Sequence, residues 1–464
     1  MEWARYRDMT RIYLLIVGAF SITFFVRWVL IGYLEGGAVQ AVACGAALFI
    51  FLLLGVYILY FGLERWDRFY SDMTVAQPAY QYAAYYQPAY YPPPGYYYPP
   101  PAYYPPPYGQ PAYGMPAYYP QYPQYQQPAY QYQPANQYQP AEQYMLAYYQ
   151  PQAAYPPPQS YAGYAGPYQY VPKAPAQPRE LDPRRALILP EATRLLAIFL
   201  LALLLGGLAL AVANYVSLLA LVVFLPAFVI GFSFPSLIWI SYVYHFDKTP
   251  LPSKTVLKAF VWGMLSTIPA LLINTVASIA TGEGEGAPLV VTLFVVAMVA
   301  PLIEEFSKPW GIWLVREDIK GPLDGLILGV TCGVGFALIE NISYEFSFVL
   351  TGDSAAAVWT LGSLARGLGS IMVHAAGAGM IGYAYGRYPI GKDLPSIVLA
   401  YFAAVALHSA WNASSALFAT VDWGLFATVG FMMLFVAGTY YLLRYLISRA
   451  AASEEKAYAH GPPG

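Results

Sequence analysis

The chain has 464 residues, of which 58% are hydrophobic and only 10% are charged. This composition excludes an ordinary soluble domain and indicates a membrane protein with several spanning segments. A formal net charge of -2 gives no sign of an affinity for nucleic acid, so no nucleic-acid partner is expected. The two cysteines, Cys44 and Cys332, each lie in an apolar run, and a disulfide framework is therefore not expected.

Ten apolar runs are each long enough to cross about 30 Å of hydrocarbon, which takes roughly 20 helical residues. They lie at 11–33, 38–62, 193–213, 217–242, 255–280, 287–308, 323–350, 356–386, 395–419 and 424–447. The arginines before the first run imitate a signal peptide, but Arg27 interrupts that run and no small-residue cleavage site follows. The predicted fold class is an all-α polytopic membrane protein with about ten transmembrane helices.

Charged loop residues predict the orientation of these helices. Lysine and arginine collect in every second loop and in both terminal segments, whereas the intervening loops are acidic or uncharged. The basic positions are Arg5, Arg7, Arg65, Arg68, Lys248, Lys254, Lys258, Arg316, Lys320, Arg387, Lys392, Arg449 and Lys456. Because basic loops stay on the cytoplasmic side, we expect a multi-pass protein of the cell membrane with both termini in the cytoplasm.

A tract of different composition separates the second and third runs. From about residue 76 to residue 170 it repeats QPAY and YYPPP and carries a single charge, Glu142. Proline removes backbone donors and fixes φ, so the tract is predicted to be a disordered cytoplasmic linker with polyproline II character. Alternatively, it is a tether that self-associates through stacked tyrosines or binds a proline-recognising partner.

Ionisable residues inside the later runs are the main functional signal, because each is costly in hydrocarbon unless it is paired or hydrated. They and their polar neighbours are Glu304, Glu305, Lys308, Glu340, Asn341, Arg366, His374, His408 and Asn412. Each has a structural explanation when read alone: a charge group that snorkels to the interface, a buried Glu340–Arg366 pair, a packing histidine or a helix-bridging asparagine. Their number in four consecutive runs predicts one polar cluster instead.

Small residues predict which helices hold this cluster together. Gly325, Gly329 and Gly333 recur at four-residue spacing in the seventh run, and Gly382 and Gly386 do so in the eighth. Glycines at this spacing allow two helix backbones to touch. We therefore expect the seventh and eighth helices to pack closely and to hold Glu340 and His374 rigidly.

The residue types in this cluster suit hydrolysis. A carboxylate and a histidine within reach of one water can activate it for attack on a carbonyl, and a second histidine with an asparagine can donate to the developing oxyanion. Neither G-x-S-x-G nor H-E-x-x-H occurs. A divalent metal such as zinc is an alternative, held by Glu340, His374 and His408 with Glu304 or Glu305 as base. The residues alone leave water-only and metal-assisted hydrolysis open.

Five motifs in order make the chain resemble the PrsW family of intramembrane proteases and, more distantly, the CAAX prenyl endopeptidase and bacteriocin-processing superfamily. They are YHFDKTPLP at 244–252, APLIEEFSKPW at 300–310, GPLDGLILGVTCGVGFALIEN at 321–341, the helix from Arg366 to His374, and LHSAWNAS at 407–414. The resemblance covers roughly residues 235–447.

The resemblance implies a protease that cleaves membrane-embedded or juxtamembrane segments of transmembrane or membrane-anchored proteins, as in the cleavage of anti-sigma factors. It assigns Glu304 and Glu305 to the family's diglutamate, Glu340 to its second motif, and His408 with Asn412 to its last, and it favours Glu304 as the base. The distant relatives have Phe-x-x-x-His where this chain has Phe336 to Glu340, so we expect His374 to supply the missing imidazole.

The predicted organisation is a two-helix membrane hairpin at 1–70, the Tyr/Pro-rich linker at 71–185, an eight-helix PrsW-like protease domain at 186–450 and a tail at 451–464. Three alternative functions remain at this point. They are a catalytically inactive membrane scaffold or adaptor, a CAAX-type prenyl-protein endopeptidase, and a proton-coupled transporter, although no internal repeat supports the last.

Overall fold

The computed structural model describes residues 3–66, 186–213, 217–247, 250–284, 286–387, 394–418, 420 and 424–459, which all belong to one compact unit. The predicted Tyr/Pro-rich linker at 71–185 and the end of the predicted tail lie outside these residues. Within the described part of the chain the regular elements are helices, apart from one isolated bridge between Ala186 and Pro252. The all-α prediction is therefore confirmed.

The described helices are numbered here in chain order. They are α1 (Trp3–Tyr60), α2 (Ala192–Ala211), α3 (Ser217–Tyr244), α4 (Ser253–Leu265), α5 (Thr267–Thr281), α6 (Leu289–Phe294), α7 (Ala300–Ser307), α8 (Trp310–Leu314), α9 (Pro322–Val349), α10 (Ala355–Ala365), α11 (Ile371–Arg387), α12 (Leu394–Phe418) and α13 (Gly424–Ala459). Three π-helical turns continue helices at Phe61–Arg65, Val295–Val299 and Arg366–Ser370. Short 3₁₀ turns occur at Arg316–Asp318 and Gly352–Ser354.

Nine stretches of the described residues are long and apolar enough to cross a membrane. The difference from the ten predicted runs arises in α1, because the structure joins the first two runs in one 58-residue helix. Gly37 interrupts this helix with φ 69°, a left-handed backbone conformation that glycine adopts without strain. The helix therefore has two arms that meet at Gly37.

The two arms of α1 pack against each other. A Cβ atom on Gly55 would lie 2.7 Å from the carbonyl oxygen of Gly18, so the arms touch through their backbones. The buried side chain of Arg11 donates from Nε to the carbonyl oxygen of Gly62 at 2.7 Å. The arms also contact the later helices, because Glu64 pairs with Lys254 in α4.

Helix α9 lies at the centre of the molecule, and nearly its whole length is buried. Its close neighbour is α11, and glycines explain the approach. A Cβ atom on Gly325 would lie 2.2 Å from the carbonyl oxygen of Gly382, and one on Gly329 would lie 2.3 Å from that of Ala378. The predicted backbone contact between these two helices is therefore confirmed.

Two irregular turns interrupt membrane-spanning helices next to the polar residues. The first, Val295–Val299, comes directly before α7, and the second, Arg366–Ser370, comes directly before α11. A π-helical turn widens the helix and frequently occurs at functional sites. Both turns thus adjoin helices on which the sequence predicts site residues.

Candidate active site

Glu304 and Glu305 lie side by side on α7 but have different surroundings. Glu305 is fully buried, and its Oε1 lies 2.5 Å from Lys308 Nζ and 2.9 Å from His408 Nδ1. Because the lysine ammonium can only donate, it holds Glu305 as an acceptor, and His408 adds a second donor. The Glu305 carboxylate is therefore fixed by an adjacent cation and an imidazole.

Glu304 is paired much more loosely. Its Oε1 accepts a hydrogen bond from Asn274 Nδ2 in α5 at 3.3 Å. Its Oε2 lies 3.8 Å from both Lys308 Nζ and His408 Nε2, and it is a buried atom without a hydrogen-bond partner among the described residues. Glu305 Oε2 likewise has no hydrogen-bond partner among the described residues, so Glu304 differs in the position of its Oε2 beside His408 Nε2.

His374 belongs to α11, and its ring lies between Lys308 and Glu340. Lys308 Nζ lies 2.6 Å from His374 Nδ1, and Glu340 Oε2 lies 3.0 Å from His374 Nε2. Since the lysine donates, Nδ1 must accept and the ring proton belongs on Nε2, facing the Glu340 carboxylate. The ring also meets that of His408 edge to face, with centroids 4.7 Å apart.

Glu340 and Arg366 form an ion pair beside this imidazole. Arg366 Nη2 lies 3.0 Å from Glu340 Oε2, and Arg366 Nε donates to Asn341 Oδ1 at 2.7 Å. The guanidinium also lies 3.6 Å from the centre of the Tyr344 ring. Polar groups of α9 and of the π-helical turn before α11 thus continue the cluster away from the two glutamates.

Asn412, the predicted oxyanion donor, bonds the main chain in this structure. It is one turn beyond His408 on α12, but its Nδ2 donates to the main-chain carbonyl of Val296 at 2.8 Å. That carbonyl belongs to the π-helical turn before α7. Asn412 therefore ties α12 to the turn that leads into the two glutamates.

The remaining predicted residues come together in one cluster. Helices α7, α9, α11 and α12 and the π-helical turn at Arg366 bring Glu304, Glu305, Lys308, Glu340, Asn341, Arg366, His374 and His408 into contact with one another. His374 and His408 are 1% and 3% exposed, so both side chains lie inside the protein.

Three contacts were not predicted. Asn274 bonds Glu304, Tyr401 donates from its hydroxyl to the Leu302 carbonyl at 2.8 Å, and Gly377 leaves space for Glu305. A Cβ atom on Gly377 would lie 3.0 Å from Glu305 Oε2. The signal for Asn274 was its position as a lone asparagine inside the apolar run 255–280. Nothing in the sequence distinguishes the other two from packing residues.

A divalent metal fits the donor set, but with a different carboxylate from the predicted one. Glu304, His374 and His408 each offer a ligand atom, these atoms lie within 4.8 Å of one another, and all three residues are buried. Glu340 is instead engaged by Arg366. Two histidines and one carboxylate suit a divalent transition metal such as zinc. The unpartnered Glu304 Oε2 supports this fit.

Comparison with known proteins agrees with the arrangement. Residues 251–438 match the family described as PrsW family intramembrane metalloprotease. The chain is 29% identical over 114 residues to the Protease PrsW of Oceanobacillus iheyensis, covering 24% of this chain and 50% of the relative. It is 27% identical over 157 residues to the Protease PrsW of Geobacillus kaustophilus, covering 33% of this chain and 63% of the relative.

The chain thus spans between half and two thirds of the length of these curated relatives. No solved structure matches it significantly. The matched segment contains every polar side chain of the cluster, from Asn274 to Asn412. Residues 251–438 of this chain, which carry the polar cluster, are therefore similar to the PrsW family of intramembrane metalloproteases.

Proposed function

We propose that this chain is an intramembrane endopeptidase, which hydrolyses peptide bonds in membrane-embedded or juxtamembrane segments of protein substrates. The observation that carries the proposal is the pairing of Glu304 and His408. A buried carboxylate oxygen without a hydrogen-bond partner in the described structure lies 3.8 Å from an imidazole nitrogen. The names of the matched family and of both relatives support the same reaction class.

Glu304 is the proposed general base. One proton of a water molecule passes to Glu304 Oε2 while the water oxygen bonds to the scissile carbonyl carbon, whose π electrons move to the carbonyl oxygen. The tetrahedral intermediate then breaks its C–N bond, and Glu304 returns the proton to the leaving amine. Glu305 takes no proton in this scheme, because Lys308 and His408 both contact its Oε1.

Positive charge next to the base favours the intermediate. The Lys308 ammonium is fully buried and lies 3.8 Å from Glu304 Oε2, so it faces the region where the oxyanion forms. His374 accepts from this lysine and faces Glu340, which keeps the ammonium aligned. We assign His374 a role in catalysis through these two contacts.

When bound, a divalent metal such as zinc would polarise the scissile carbonyl and lower the cost of ionising water. Glu304, His374 and His408 are the residues that would hold it, and Glu304 would then be a ligand in place of the base. His374 has both ring nitrogens engaged, by Lys308 and by Glu340. Binding of the ion therefore requires His374 to give up one of these contacts.

The proposed substrates are transmembrane or membrane-anchored proteins, cleaved within the bilayer or beside it. Regulatory proteolysis, such as the cleavage of an anti-sigma factor, is the setting that the resemblance to the PrsW family favours. The Tyr/Pro-rich tract at 71–185 is proposed as the segment through which copies of the chain associate.

The test uses the full chain in proteoliposomes with a reporter that contains one transmembrane segment. Wild type is compared with Glu304→Gln, which keeps the shape of the base but removes its charge. Glu283→Gln, in the loop between α5 and α6, is the matched control. Each protein is assayed with and without a strong chelator, and the fragments are identified by mass spectrometry.

We expect wild type and Glu283→Gln to cleave the reporter and Glu304→Gln to lose cleavage by about 10²–10⁴-fold. If the chelator abolishes cleavage by the wild type, the reaction depends on a metal. If cleavage persists with the chelator, the glutamate acts without a metal. Absence of cleavage in every form would contradict the proposal and favour an inactive scaffold. Cleavage restricted to a prenylated peptide would favour the prenyl-protein endopeptidase.

A further inference from the structure

Asn274 adds a polar group to the base that the predicted motifs do not contain. It lies on α5, and its Nδ2 donates to Glu304 Oε1 at 3.3 Å. The amide thus presents its nitrogen to Glu304, and its Oδ1 is not used in this contact.

Asn274 and Glu304 each have an unused acceptor atom. Asn274 Oδ1 and Glu304 Oε2 are both buried acceptors without a hydrogen-bond partner among the described residues. Buried acceptors of this kind are rare and costly, because each has lost its hydrogen bonds to water. A donor of two hydrogens can satisfy two unused acceptors on hydrogen-bonded neighbours, and a water molecule is the smallest one.

The membrane span that carries Asn274 is interrupted before it reaches this residue. Helix α4 ends at Leu265 and α5 starts at Thr267, so Ser266 separates two helices of one span. The hydroxyls of Ser266 and Thr267 donate to the carbonyl oxygens of Gly263 and Met264 at this interruption. Helix α5 then runs beside α7, where Asn274 meets Glu304.

We propose that Asn274 and Glu304 together bind the water molecule that attacks the scissile carbonyl. Asn274 Oδ1 accepts one hydrogen of this water, and Glu304 Oε2 accepts the other and takes it as the proton. The remaining lone pair of the water oxygen then faces the substrate. The inference rests on the proposed proteolytic function and adds a catalytic residue to it.

A neighbouring residue gives a matched control. Thr275 is also half-buried on α5, but its hydroxyl donates to the Leu271 carbonyl within the same helix. Thr275→Val therefore removes a polar group from the same turn without touching the base. Asn274→Leu keeps the approximate volume of asparagine and removes both the donor and the acceptor.

The experiment measures kcat, KM and the melting temperature of the full chain in proteoliposomes with the transmembrane reporter. For Asn274→Leu we expect kcat to fall about 10–100-fold, while KM and the melting temperature stay at the wild-type values. Asn274→Gln, which keeps an amide, should recover part of the loss. Thr275→Val should resemble the wild type.

Two different results would overturn the inference, and Glu304→Gln distinguishes them. If wild type cleaves and Glu304→Gln is inactive, a wild-type kcat in Asn274→Leu contradicts the role of Asn274 alone. If wild type itself does not cleave, the proposed function fails and the inference fails with it. If Asn274→Leu lowers the melting temperature, Asn274→Ala, which adds no atoms, replaces it. A wild-type kcat in Asn274→Ala then contradicts the role of Asn274.

Discussion

Gly333 packs directly against the main-chain carbonyl of His374: a Cβ atom on this glycine would lie 2.1 Å from that oxygen. The contact sets how close α9 and α11 approach at the level of the imidazole. It therefore also sets the 3.0 Å separation of Glu340 and His374, whose backbones belong to these two helices.

Replacing Gly333 by valine should separate the two helices, because the clash is with backbone and no rotamer change can relieve it. Overpacking of this kind costs about 1–3 kcal/mol, and we expect the upper end here. The melting temperature and the cleavage rate should both fall. Gly438→Val is the control, since a Cβ atom there meets nothing within 4 Å. Equal melting temperatures for the two variants would show that α9 and α11 do not need this contact.

The two glutamates should respond differently to neutralisation. Glu305→Gln leaves the buried Lys308 without its close carboxylate, and breaking a buried pair costs about 3–5 kcal/mol, so the protein should become unstable. Glu304→Gln removes a loosely held carboxylate, so kcat should fall while stability changes little. Melting temperature and kcat, measured on both variants, test this division. The reverse pattern would make Glu305 the base.

Asn412→Leu tests whether this residue is an oxyanion donor or a structural tie. The structure favours the tie, because Asn412 donates to the Val296 carbonyl at 2.8 Å. Loss of one such hydrogen bond costs about 0.5–1.5 kcal/mol, so the melting temperature should fall modestly and kcat less than in Glu304→Gln. An unchanged melting temperature with a 10²–10³-fold loss of kcat would instead identify an oxyanion donor.

Lys308→Met should strengthen zinc binding. The lysine ammonium contacts His374 Nδ1 and lies 3.8 Å from Glu304 Oε2, so it competes with a cation for two of the three donors. Removing the positive charge of Lys308, which repels the zinc cation, should raise the affinity for zinc about tenfold or more. Competition with a fluorescent chelator measures it, and Arg316→Met, at a cation that lies over Trp313, is the control. Because Lys308→Met also breaks the buried pair with Glu305, the affinity is measured at a temperature where this variant remains folded. Unchanged or weaker affinity there would rule out this donor set as the zinc site.

The sequence by itself determined the class of protein, the helical fold and the residues to examine. Long apolar runs can cross a bilayer only as helices, since all their backbone groups must bond internally. Ionisable residues such as Glu304 and His408 are conspicuous in such runs because burying them is costly. The four-residue glycine spacing likewise predicted the contact of α9 with α11.

Only the tertiary structure decided which polar groups meet. Helical periodicity places residues on a face of one helix, but not opposite a given residue of another. Asn412 shares a face with His408 and still turns to a carbonyl of the π-helical turn. Glu304 offers a ligand atom within 4.8 Å of both histidines, whereas Glu340 pairs with Arg366 and contacts His374. Asn274 meets the base because α5 packs beside α7, a contact between helices that the sequence does not show.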